Sequence, residues 1–239
     1  MGSSIARPLP TTSHLHQSRT FGSFFRFLLR NIIVLGYNTT WATEKNVLND
    51  VLHISSSFIH PLLSTIYRPP IILVFFGAND AALPKAPQHV PIENYKMNLS
   101  VIMNELRAHV PGVRLLLASP TPLDELSFTQ SLNVIDTIDH TRKQYVTLAY
   151  ASACEQLAKE FQVDAFVNLH TVFDEYIQEQ KLTLMDMFVD GLHPSFHGND
   201  AIAQAFSRVL ISTFQLNHLS SWQLDWKDCI NKTDQRETS

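Results

Sequence analysis

The chain has 239 residues, 45% of them hydrophobic, which is enough to bury one large core. A formal net charge of -4 excludes the basic footprint of a nucleic-acid-binding domain, and two cysteines, Cys154 and Cys229, exclude a disulfide scaffold and the paired spacing of a zinc site. No run of about 18 apolar residues occurs, so no membrane-spanning helix is expected.

The head of the chain stands apart. It carries Arg7, Arg19, Arg26 and Arg30 and no acidic residue before Glu44, a bias that fits an organelle (mitochondrial) transit peptide as well as an irregular cytoplasmic head. The scarcity of cysteine favours a reducing compartment and a cytoplasmic protein. Expected boundaries are an atypical segment over 1–30, one domain over 31–226 and a polar tail over 227–239. "NIIVLG" (31–36) is a short β-branched run ending in glycine, followed by a helical pattern from Thr43 to about Ile59. "PPIILVFFGAND" (69–80) reads as a buried strand running into a turn, with Val74, Phe75 and Phe76 in the core. Over 91–110, Tyr95, Leu99, Ile102, Met103 and Leu106 recur at helical spacing. "GVRLLLASPTP" (112–122) is a buried strand entering a proline loop, and 140–161 is the clearest helix. A strand near 163–168, a helix from about Val172 and a last helix over Asn199–Phe214 complete the chain.

Buried strands alternating with amphipathic helices specify an α/β fold with a mostly parallel sheet covered on both faces. In such sheets ligands bind beyond the carboxyl ends of the strands. Four segments fall there or just before the last helix: "GYNTTWA" (36–42), "GANDA" (77–81), "SPTPLDE" (119–125) and "DGLHPSFHGND" (190–200). Within the last, Asp190 and His193 are spaced for a carboxylate to hold one imidazole nitrogen while the other acts as a base. Two other readings are open on these residues: a structural loop capped at Asn199 or Asp200, or a metal site using His193 and His197. Pro194 argues against the metal, because the residue before a proline is pushed out of the α region and off a shared helix face. Asn79 can direct a carboxamide at a developing oxyanion or make a plain turn. Gly36 can offer a bare backbone N–H at close approach.

In this order the four segments resemble those of the SGNH (GDSL-type) hydrolases, and within them the isoamyl acetate-hydrolysing esterase branch. The resemblance implies a three-layer, flavodoxin-like α/β/α domain. It also implies hydrolysis of small or medium carboxylic esters of the acetate type through an acyl-enzyme, with a small-molecule ester as partner and no metal or cofactor. It makes His193 the general base, Asp190 its orienting acid, and the N–H of Gly36 and the side chain of Asn79 oxyanion donors. The family's Gly-Asp-Ser block maps onto "MGSSIA", which makes Ser4 the nucleophile, its own N–H a third oxyanion donor, and places Ser3 where the aspartate would stand. No strand-forming run precedes Ser4, so the first strand is expected to be missing or altered. A second function therefore stays open: a binding protein that keeps the pocket without a positioned serine.

Overall fold

A computed structural model describes residues 32–35 by their backbone and residues 71–131 and 142–216 in full. Four strands, β1 (Ile32–Leu35), β2 (Ile71–Phe75), β3 (Arg114–Ala118) and β4 (Ala165–Val167), form one sheet in the order β1-β2-β3-β4. Every pairing is parallel, with Ile32 opposite Ile71, Ile71 opposite Arg114 and Leu116 opposite Ala165.

β2 and, from Leu115 on, β3 are buried on both faces, successive side chains pointing to opposite sides of the sheet. Ile72, Val74, Phe76, Leu115 and Leu117 pack under α1 (Ile92–His109) and α3 (Gln144–Glu160). Ile71, Leu73, Phe75, Leu116, Ala118 and Val167 pack under α4 (Leu169–Gln180) and α5 (Phe196–Ser212). The result is the expected three-layer α/β/α arrangement. Val74, Phe75 and Phe76 lie in the core, and α1 buries the five residues its spacing singled out. The all-parallel pairing is consistent with the flavodoxin-like fold, and the first strand, expected to be missing or altered, falls on residues before Ile32, outside the described residues.

Three elements differ from expectation. A short helix, α2 (Glu125–Ser131), follows the proline loop where the sequence pattern marks no helix. It buries no residue, so it carries no apolar stripe to betray it. The helix expected from about Val172 starts at Leu169, where the Asn168 side chain caps it by accepting from the N–H groups of His170 and Thr171. The last helix starts at Phe196, capped by Ser195 and not by Asn199 or Asp200. The Ser195 hydroxyl accepts from the Gly198 N–H and donates to the carbonyl of Asp186 at 2.6 Å. Asn199 instead donates to the Pro194 carbonyl, and Asp200 accepts from the Tyr176 hydroxyl and the Gln204 amide. The helix expected over 43–59, the head and the polar tail lie outside the described residues.

Candidate active site

Three loops at the carboxyl end of the sheet touch one another. The first follows β2: Gly77 has φ +120°, and a Cβ there would sit 3.1 Å from Cδ and Cγ of Pro120 in the loop after β3. Glycine is what lets these two loops close on each other. The turn is held by Ala81 N–H donating to the Gly77 carbonyl and Ala82 N–H to the Asn79 carbonyl. The loop after β3 in turn meets the segment before α5, because Asp124 N–H donates to the Gly191 carbonyl at 2.9 Å. Three of the four segments that the sequence singled out thus share one edge. The fourth, with Gly36, lies outside the described residues, as does Ser4.

The segment carrying Asp190 and His193 is a narrow loop. Phe188 and Pro194 form an antiparallel bridge, Val189 N–H donates to the His193 carbonyl and Ser195 N–H to the Met187 carbonyl. Inside it the Asp190 carboxylate has two separate tasks. Oδ1 accepts from the N–H groups of Leu192 at 3.0 Å and His193 at 2.8 Å, which fixes the turn. Oδ2 stands 2.7 Å from His193 Nδ1. A carboxylate at Nδ1 requires the proton there, which leaves Nε2 as the basic nitrogen. The His193 side chain is still two-thirds exposed (67%).

The charges of the pair support each other. Burial opposes the charge on Asp190, but the hydrogen bonds from the His193 ring and from the N–H groups of His193 and Leu192 outweigh it and hold the carboxyl at about 2. His193 is raised above its ordinary 6.5, first by the hydrogen bond to Asp190; burial and the charge of Arg142 pull the other way. These shifts set a window of stability. The Asp190 contribution is present above its ordinary 3.8 and lost as pH falls toward 2, whereas the His193 contribution is present below 6.5 and lost as pH rises through its raised value. Both are whole between about pH 4 and 6.5. Urea midpoints of the parent and of Asp190→Asn are therefore expected to differ most inside that window. The pair is worth about 1 kcal/mol or less at this exposure, and a difference independent of pH would contradict the assignment.

His197 does not join His193. It sits in the first turn of α5, with its ring 6.5 Å from that of Tyr176 and 5.7 Å from that of Phe196. Among the described residues no three His, Cys, Asp or Glu side chains converge as metal ligands. Cys154 is buried, its thiol pushed up to about 12 by that burial, and it contacts the Ala118 carbonyl on the far side of α3 from solvent.

Asn79 is held by a residue outside the four segments. Arg142, one residue before the N-cap of α3, donates from Nη1 to the Ala78 carbonyl and from Nη2 to Asn79 Oδ1 at 2.9 Å. Its charge is also felt by Asp190 and His193. The only sequence signal was a lone arginine next to a helix start, too common to single out.

Comparison with known proteins gives the same direction. Residues 31–201 match the sequence profile of the GDSL-like lipase/acylhydrolase family. A GDSL esterase/lipase of Arabidopsis thaliana is 35% identical over 182 residues, 73% of this chain and 68% of that protein. An isoamyl acetate-hydrolyzing esterase 1 homolog of Homo sapiens is 34% identical over 170 residues, 69% of this chain but 61% of that protein. Among solved structures, Axe2, an acetylxylan esterase from Geobacillus stearothermophilus, is 21% identical, with a TM-score of 0.45 and 66% of each chain covered.

Proposed function

Because the chain belongs to the GDSL-like lipase/acylhydrolase family, we propose that it is a serine esterase acting on small or medium carboxylic esters, acetates among them, through an acyl-enzyme. The observation that carries this reading is the 2.7 Å contact of His193 Nδ1 with Asp190 Oδ2, which leaves Nε2 as the basic nitrogen. The acetate preference is supported by the name of the human relative, an isoamyl acetate-hydrolyzing esterase.

The serine, assigned to Ser4, attacks the ester carbonyl carbon while its proton passes to His193 Nε2. The carbonyl oxygen gains the negative charge. The Asn79 amide, with the N–H groups of Gly36 and of the serine itself, stabilises that charge. The tetrahedral species collapses, the bond to the alkoxy oxygen breaks, and His193 returns its proton to the departing alcohol. Water then repeats the sequence on the acyl-enzyme, giving the carboxylic acid and free serine. Asp190 stays ionised throughout and balances the transient imidazolium. No metal or cofactor takes part, so a chelator is expected to leave the rate unchanged.

Hydrolysis of p-nitrophenyl acetate through octanoate, with labelling by a fluorophosphonate and mapping of the labelled peptide, tests this. Expected are turnover and a label on Ser4. Asn79→Ala should lower kcat by about 10²- to 10³-fold, the usual weight of one oxyanion donor. Folded protein that neither turns over nor labels would point instead to a binding protein with the same pocket. A label on another serine would overturn Ser4 alone.

A further inference from the structure

Arg142 is 7% exposed and belongs to none of the four segments that mark the site. A guanidinium is kept out of water only when its donors and charge are met. Here they are met by the site itself. Nη1 meets the Ala78 carbonyl and Nη2 the Asn79 side chain, the carboxylates of Asp80 and Asp190 act on its charge, and the Phe128 ring lies 6.0 Å beneath it. Guanidinium nitrogens only donate, so the Asn79 atom they meet has to be the carbonyl oxygen. That settles which way the carboxamide points. Its acceptor end is held by Arg142, so its NH2 faces away from the guanidinium. A cation on the carbonyl oxygen also polarises the amide and makes its N–H groups better donors.

We propose that Arg142 is the positioning residue of the oxyanion-stabilising arm: it holds the Asn79 carboxamide by its oxygen and so aims its NH2 at the charge that develops on a bound ester. The proposal rests on Asn79 being an oxyanion donor, as argued above. Glutamine or methionine could fill the volume of Arg142, but neither supplies a fork that binds the loop backbone and the carboxamide together. His193 is faced by the Asp190 carboxylate from its own loop and by the charge of Arg142 from the segment before α3. The guanidinium therefore also discourages protonation of the base, and its removal should be visible there.

Arg142→Lys keeps the charge and loses the fork; Arg142→Met loses both. Both are expected to lower kcat by about 10- to 100-fold, less than outright loss of the donor, with KM within about twofold of the parent. In an Asn79→Ala background neither should lower kcat further. The acid limb of the kcat/KM profile should move to higher pH in Arg142→Met and stay in place in Arg142→Lys. A purely structural role would instead give losses that add to Asn79→Ala and leave the acid limb alone. Absence of hydrolysis by the unsubstituted protein would defeat the esterase reading without deciding the role of Arg142, which two-dimensional NMR then decides. The Asn79 NH2 signal, assigned by its disappearance in Asn79→Ala, should shift in both arginine variants, and His193 should titrate higher in Arg142→Met. An unmoved Asn79 signal in folded Arg142→Lys overturns the proposal.

Discussion

His193→Ala is expected to lower ester hydrolysis by about 10⁴-fold or more, and Asp190→Asn by about 10⁴-fold, with the fold intact in both. The second variant is the more informative. An asparagine at 190 retains an oxygen for the N–H groups of Leu192 and His193, so the turn that presents the imidazole persists. What it turns toward His193 Nδ1 is an NH2 group, which donates where the carboxylate accepted. The ring must then accept at Nδ1 and carry its proton on Nε2, the atom that should receive one. Catalysis is lost through the tautomer and not through the loop, and the imidazole pKa falls because the charge beside it is gone. Steady-state rates on p-nitrophenyl acetate, with a ring-proton NMR titration of His193, check both statements. His197→Ala, which removes a ring packed against Tyr176 and Phe196, should keep most of the activity. Equal losses at His193 and His197 would favour the metal reading over the dyad.

Gly191→Ala is expected to destabilise the protein by roughly 3 to 5 kcal/mol and to lower Tm on the order of 10 °C, one of the largest effects open to a single methyl group. Two causes add. At φ +85° a side chain is strained by about 1 to 2 kcal/mol whatever surrounds it. The new Cβ would also stand 2.3 Å from the Phe128 nitrogen, 2.4 Å from the Asp124 oxygen and 2.7 Å from the Phe128 Cα. Those are backbone atoms at the first turn of α2, and the first two are hydrogen-bonded to each other at 2.9 Å. They cannot swing aside as a side-chain tip would, so the helix has to move. Its movement breaks the bond from Asp124 N–H to the Gly191 carbonyl and pulls on Ser131, whose hydroxyl reaches the Asp190 carbonyl at 3.3 Å. It also loosens Glu125, which is ion-paired with Lys143 and accepts from the Gln144 N–H at the start of α3. Activity should therefore fall along with stability. Thermal unfolding followed by circular dichroism gives the first quantity, and a Tm within about 2 °C of the parent would show that α2 yields without cost.

α2 explains how the dyad is supported. It buries nothing itself, yet it is tied to the catalytic loop by Asp124 and Ser131, to α3 by Glu125 and to Arg142 through the Phe128 ring. A helix of this kind works as a strap whose value lies in its ends. It couples the Asn79 loop, the segment before α3 and the Asp190 loop, which are far apart in sequence and must agree in position for proton transfer and oxyanion stabilisation to coincide.

The local parts of this design are legible in the sequence. The runs at 71–75 and 115–118 are apolar on both faces of the sheet, and the spacing of Tyr95, Leu99, Ile102, Met103 and Leu106 marks a buried helical stripe. These signals survive because side-chain alternation and helical periodicity depend only on neighbours in the chain. The Asp190–His193 pair is legible for the same reason: three residues apart on a glycine-containing turn, one carboxylate reaches both the backbone and the ring. What tertiary structure decided involves groups that no local pattern joins. Ser195 outcompeted Asn199 as the cap because the carbonyl of Asp186 and the bridge between Phe188 and Pro194 fix where the helix can begin. α2 formed without an apolar stripe because its stabilising partners lie on the Asp190 loop and on α3. Arg142 became part of the site only because the sheet carries Asn79, 63 positions away, to within 2.9 Å of its guanidinium. A lone arginine has no spacing to read; its meaning is supplied by the two carbonyl oxygens it meets and by the carboxylates around it.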